Sequence, residues 1–158
     1  MPPVGAFIAI KLPAEIRQKL NAVEQQIQFR AGEDSRHVVR WVAADKIHLT
    51  LKFLGDVSPE KLPEVNDLLK AESAHWFGFD LGIAGLGAFP NPRRPRVIWV
   101  GCEGGPGLTA LQKAIDQSTH RLGFPPEDRS FSPHLTLGRV NEHARPEELV
   151  SLQRGLSE

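Results

Sequence analysis

Two histidines carry the chemistry that this sequence offers. His48 opens the stretch HLTLKFLG (48–55) and His134 opens HLTLGRV (134–140), so His-Leu-Thr-Leu is spelled twice, 86 positions apart (134 − 48). Side chains of an extended strand alternate between faces, so His48, Thr50 and Lys52 should point one way and Leu49, Leu51 and Phe53 the other. The same parity separates His134 and Thr136 from Leu135 and Leu137. Each stretch then has a core face and a chemical face. Imidazole, with an ordinary pKa of about 6.5, can take or give a proton near neutrality. Two imidazoles brought together suit a reaction in which one activates a nucleophile while the other protonates a leaving group. In-line displacement at phosphorus has this demand, because nucleophile and leaving oxygen lie on opposite sides of the atom. The hydroxyls of Thr50 and Thr136 would donate to the non-bridging oxygens. Arg139, five residues after His134, would add a positive charge. Strict alternation puts Arg139 on the wrong face, so that role requires a bulge or a strong twist at Gly138.

Competing chemistries find less support. A single His-x-Thr on a strand usually means nothing; two copies in matching surroundings favour function. Zinc is the rival use of histidine, but there is no HExxH, and catalytic zinc normally takes three protein ligands. His37, His75, His120 and His143 read as solvated or structural. There is no GxSxG elbow, and the glycines at 104, 105 and 107 lack the lysine of a phosphate-binding GxxxxGK[ST] loop. No ATP is expected.

The elements that must position the histidines can be read from periodicity. VGAFIAIKL (4–12) is a short apolar run closed by Pro13, and Ile16, Leu20, Val23 and Ile27 then recur at helical spacing. VVRWV (38–42) and KIHLTLKFLG (46–55) read as strands around the turn-like AAD, with Gly55 and Asp56 ending the second. Ser58-Pro59 resembles a helix start, although Pro63 argues for a later one. Residues 75–89 alternate loosely among many glycines, as in a twisted or bulged strand pair. PNPRRP (90–95) is a loop, RVIWVGCE (96–103) a buried strand, and Leu108, Leu111, Ile115 and Leu122 mark a helix stopped by Gly123. The tail from Pro146 reads as a short helix. Both halves therefore run strand, amphipathic helix, His-Leu-Thr-Leu strand, which suggests duplication about a pseudo-dyad. The expected fold is α+β, with two pseudo-symmetric lobes, each an antiparallel sheet packed with helices, and the His-x-Thr strands facing a central groove.

Composition bounds the rest. The 158 residues fit one domain, and 41% apolar residues suffice for a core. Lys plus Arg equals Asp plus Glu at 19 each, so an anionic ligand must be held by a local cluster rather than a global field. The single cysteine, Cys102, excludes an intrachain disulfide and reads as a small hydrophobe at a strand end in a reducing compartment. VGAFIAI lacks the basic segment and cleavage site of a signal peptide. The most apolar stretch, 76–90, contains Asp80 and four glycines and falls short of the roughly 20 apolar residues of a membrane helix. A cytoplasmic monomer is expected. Phe7, Trp41 and Trp99 read as core. Arg93, Arg94 and Arg96 read as a solvated loop.

With its paired motifs the chain resembles the 2H phosphoesterases, and among them the RNA 2',3'-cyclic phosphodiesterases historically called 2'-5' RNA ligases. The resemblance rests on FIAIKLP, VRWVAADKIHLTLKFLGDV, RPRVIWVG and FSPHLTLGRV, and so covers nearly the whole chain. It implies hydrolysis of 2',3'-cyclic phosphate ends of RNA, tRNA fragments included, to 2'-phosphates. His48 would be general acid and His134 general base, with Thr50, Thr136 and Arg139 holding the phosphate. No metal or other cofactor is implied. Ligation through a 2'-5' bond would be the reverse of cleavage in the same site. A small cyclic nucleotide or cyclised ADP-ribose derivative as substrate, or a non-catalytic module that binds RNA ends, are the other readings. The chain departs from the family in two places. Gly5 stands where members often carry arginine, and the single bilobal domain (1–158) that the resemblance implies ends at Glu158 without any tyrosine, where members usually continue with further strands, which implies either a smaller sheet or an incomplete chain lacking C-terminal strands.

Overall fold

The structure is a computed structural model that describes residues 2–33, 37–76 and 78–157. The elements follow in the order β1 (Val4–Lys11), α1 (Ala14–Ala31), β2 (Val39–Trp41), β3 (His48–Val57), α2 (Leu62–Ser73), β4 (Gly82–Phe89), β5 (Val97–Glu103), α3 (Gly105–Arg121), β6 (His134–Val140) and α4 (Pro146–Leu156). The strands are hydrogen-bonded in the order β1-β3-β6-β5-β4, with β2 paired to β6. The β2–β6, β3–β6 and β5–β6 pairings are antiparallel. This is the α+β class with antiparallel strands and four helices. The two motif strands, β3 and β6, are direct neighbours.

The chain clusters into two compact units. The first comprises 1–10, 50–82 and 102–133; the second comprises 11–49, 83–101 and 134–158. In the first, α3 lies along β3. Gln112 Nε2 donates to the Leu51 carbonyl at 3.3 Å, and Lys52 Nζ meets Asp116 Oδ1 at 2.8 Å. Asp116 also accepts the backbone N–H of Glu127. Between α2 and α3, Glu72 accepts from Trp76 Nε1 on one oxygen and from Ser118 Oγ on the other. Pro63 sits in the first turn of α2, where its missing N–H costs nothing, and a 3₁₀ turn over Pro59–Lys61 precedes it. The later helix start expected from Pro63 is what forms.

In the second unit, α1 packs on α4. Gly155 of α4 comes so close to α1 that a Cβ there would stand 2.9 Å from the Ile27 carbonyl oxygen and from Ala31 Cβ. Leu20, Ile27, Ala31 and Leu152 are buried along this contact. Glu148 closes the start of α4 by accepting from the backbone and Nε of Arg145.

Two expectations need correcting. Residues 75–89 hold one strand, not a strand pair, because β4 begins only at Gly82 after α2 and its turn; Phe77 lies outside the described residues. The turn-like reading of AAD holds, with a 3₁₀ turn over Ala44–Lys46, and β2 pairs with β6. β3 continues two residues past Gly55, which is accommodated within the strand at φ 70°.

Glu24 on α1 is 4% exposed, and its Oε1 has no hydrogen-bond partner. Burial lifts its carboxyl from an ordinary 4.5 to about 7. Between those values the folded chain keeps a proton that the unfolded chain releases. Stability is therefore greatest below pH 4.5 as far as this group is concerned, falls as pH rises, and levels off above 7. Glu24→Gln, neutral at every pH, should remove that loss and gain roughly 2–3 kcal/mol over the parent at pH 8. Urea denaturation at pH 5 and pH 8 measures it; an unchanged difference between the two pH values would refute the assignment.

Candidate active site

The register of the three antiparallel pairings decides which side chains share a face. Leu49 and Leu135 are Cα partners, and both are fully buried. Residues opposite one another in such a pair point to the same side, so His48 and His134, each one residue before its leucine, both point to the other side. Both are half-buried. The pairing also brings His48 opposite Thr136. His134 is then the diagonal neighbour of His48, a relation that separates backbones by about 7–8 Å.

His48 has its orientation fixed. Its Nδ1 lies 2.7 Å from the Lys46 carbonyl oxygen. A carbonyl only accepts, so Nδ1 holds the proton of the neutral ring and Nε2 carries its lone pair. His134 is braced by an aromatic edge: the Phe89 ring stands at 89° to it with centroids 5.0 Å apart. Phe89 in turn packs on Trp99, with centroids 5.2 Å apart. Trp99, expected in the core, is half-buried and lies opposite Thr136 on the side of the histidines. Gly87 makes room for it, since a Cβ there would come within 2.3 Å of the indole. Phe89 carries no sequence signal beyond its place before the Pro90 loop.

Arg139 reaches the histidine face through a bulge. Trp99 pairs with Thr136 and Ile98 with Gly138, so β6 carries one extra residue, Leu137, between them. Val97 then pairs with Arg139. Val97, Trp99 and Gly101 share one side of β5, and their partners Arg139, Thr136 and His134 share it too. The distortion that Arg139 requires is present, one residue before Gly138. Gly138 itself admits β2: a Cβ there would lie 2.6 Å from Val39 Cγ1 and 3.2 Å from Trp41.

The first motif keeps alternation only through Leu51. Leu49 and Leu51 are buried while His48 and Thr50 are half-buried, but Lys52 is 2% exposed and Phe53 65% exposed. Lys52 therefore does not join the chemical face as a free cation. Its ammonium is held by Asp116 inside the first unit. Phe53, expected in the core, packs its exposed ring on Phe7, also expected there and 48% exposed, at 6.2 Å. His37, His75, His120 and His143 are all exposed, as expected. So are Arg93, Arg94 and Arg96, and the backbone N–H groups of the first two cap the Asn91 side chain. Burial pushes the Cys102 thiol up to about 11, which makes it a poor nucleophile. Among the described residues no three His, Cys, Asp or Glu side chains gather as a metal site, and no helix is long and apolar enough to cross a membrane.

A row of His, Thr and Arg on one face of β3 and β6 invites comparison with known proteins. The profile of the 2'-5' RNA ligase superfamily matches residues 12–155. A protein of Methanothermobacter thermautotrophicus named RNA 2',3'-cyclic phosphodiesterase is 33% identical over 149 residues, covering 94% of this chain and 78% of that one. An Escherichia coli protein of the same name is 40% identical over 138 residues, covering 87% and 72%. Among solved structures, E. coli LigT complexed with 3'-AMP superimposes with a TM-score of 0.67 at 33% identity, covering 92% of this chain and 78% of that one. A Thermus thermophilus protein gives a TM-score of 0.74 at 28% identity, covering 92% and 77%. On the strength of a match that takes in both motif strands and the helices between them, the chain belongs to the 2'-5' RNA ligase superfamily.

Proposed function

We propose that the protein hydrolyses 2',3'-cyclic phosphate ends of RNA to 2'-phosphomonoesters, without a metal, by acid-base catalysis between His48 and His134. The observation that carries this reading is the common face of the two imidazoles, set by the Leu49–Leu135 pairing. The names of the relatives supply the substrate class. His134 takes a proton from water as its oxygen attacks phosphorus. The bond from phosphorus to the ribose 3' oxygen breaks on the opposite side, and His48 Nε2 gives that oxygen its proton. Its Nδ1–H bond to the Lys46 carbonyl keeps the ring aimed while Nε2 works. Thr136, Arg139 and, two residues along β3 from His48, Thr50 donate to the non-bridging oxygens as charge redistributes. With the 5' hydroxyl of a second RNA in place of water, the same proton transfers form a 2'-5' link, and their reverse cleaves it.

The test is to incubate the protein in EDTA with a short oligoribonucleotide ending in a 2',3'-cyclic phosphate and to identify the product by mass and isomer-specific digestion. A 2'-phosphate is expected. A 3'-phosphate, or turnover only after metal is restored, would overturn the mechanism. Turnover confined to small cyclic phosphates would overturn the RNA assignment.

A further inference from the structure

The face that carries the histidines extends one strand beyond them. β2 pairs with β6 in the register Val39–Val140, Arg40–Arg139 and Trp41–Gly138. Directly opposed residues share a side, so Arg40 stands beside Arg139 on the face of His48, His134 and Thr136. All five belong to the second compact unit. Both arginines are exposed, and among the described residues neither guanidinium has an ion-pair or hydrogen-bond partner.

Two like charges in directly opposed positions destabilise an antiparallel pair. Their presence without an intervening carboxylate calls for an anion. The cyclic phosphate of the proposed substrate carries a single negative charge, which Arg139 alone balances. Arg40 is surplus to it. Measured along β5, Arg139 lies two residues from the level of Thr136, from Val97 to Trp99, or about 7 Å. That is a step of the size that separates neighbouring phosphates on an extended strand, and a cationic row beside the reacting group is how single-stranded nucleic acid is tracked without base reading.

The geometry points to Arg40 as a second phosphate site, which holds the internal phosphodiester adjoining the cyclic end and makes an oligonucleotide a better substrate than a mononucleotide. The inference rests on the hydrolase reading above and adds to it a substrate length of at least two nucleotides. Arg40 is a substrate-binding residue here and takes no part in proton transfer.

The experiment compares Arg40→Gln and Arg40→Lys with the parent on two substrates, a mononucleoside 2',3'-cyclic phosphate and a tetranucleotide with the same end. Arg40→Gln should cut the ratio of kcat/KM, tetranucleotide over mononucleotide, at least ten-fold through KM, and Arg40→Lys should recover part of it. The dependence of log KM on log salt for the tetranucleotide should lose a slope of about 1 in Arg40→Gln. The melting temperature should stay level or rise, because a repulsion is removed. An unchanged ratio, or a lowered melting temperature with equal losses on both substrates, would overturn the inference. If the parent turns over neither substrate, the hydrolase reading fails, and binding decides the role of Arg40. Anisotropy of a labelled tetranucleotide should then weaken in Arg40→Gln, and equal affinity would dismiss the site.

Discussion

Changing His48 or His134 to alanine should lower kcat by about 10²–10⁴-fold on a 2',3'-cyclic phosphate, with little change in KM. In the proposed mechanism each variant removes a group that acts in the transition state, while Thr136 and Arg139 still hold the phosphate. The double variant should be scarcely worse than either single one, because a donor without its acceptor leaves the proton circuit open. Single-turnover and steady-state rates on a mononucleoside substrate measure this. Both residues are half-buried and alternate with fully buried leucines, so the strands should pair without them. Activity within a factor of about three of the parent in either variant would remove that histidine from the mechanism.

Lys52→Ala should be strongly destabilising. Lys52 is 2% exposed, and its Nζ meets the Asp116 carboxylate at 2.8 Å and the Asp116 carbonyl at 3.3 Å. Taking away one partner strands a carboxylate that is itself mostly buried, which typically costs about 3–5 kcal/mol, here towards the lower figure because Asp116 keeps the Glu127 N–H. Replacing both at once, Lys52→Met with Asp116→Leu, should recover most of the loss, since a buried ion pair and a packed apolar pair differ little in net stability. Denaturant midpoints of Lys52→Met, Asp116→Leu and the double variant close the cycle, with Lys52→Ala measured beside them. Equal stability of Lys52→Ala and the parent would show the pair to be dispensable.

Lys52 also marks where a reading of the sequence stops. The alternation rule locates the chemical face of both motifs because burial alternates over His, Leu, Thr and Leu, and it fails at the next residue of each. Nothing in KF or GR states that burial changes phase there. The requirement of a bulge for Arg139 is legible in the sequence; its place at Leu137 needs the pairing with β5. Arg40 is invisible as a site residue because β2 pairs with a strand about a hundred residues away in the chain rather than with β3, and long-range pairing leaves no local periodicity. Phe7 and Trp99 pass for core residues for a related reason. An apolar run fixes that a strand is buried somewhere, and only the sheet order decides which face. Helices fare better: α1, α3 and α4 begin and end near their proline and glycine signals, whose effects are local.

The two motif strands repeat more than their letters. Over HLTLKF and HLTLGR the burial runs identically, half-buried, buried, half-buried, buried, buried, exposed. If the halves descend from one ancestor, what was copied was a six-residue pattern of burial, and side-chain identity then diverged at the last two places. The fifth became Lys52 in one copy and Gly138 in the other; the sixth became Phe53 and Arg139. Selection worked on two outward positions with the same scaffold beneath them, and kept carbon in one and charge in the other. A search for distant kin of this chain should therefore weight the spacing of the sixth residue from each histidine, and leave its identity free.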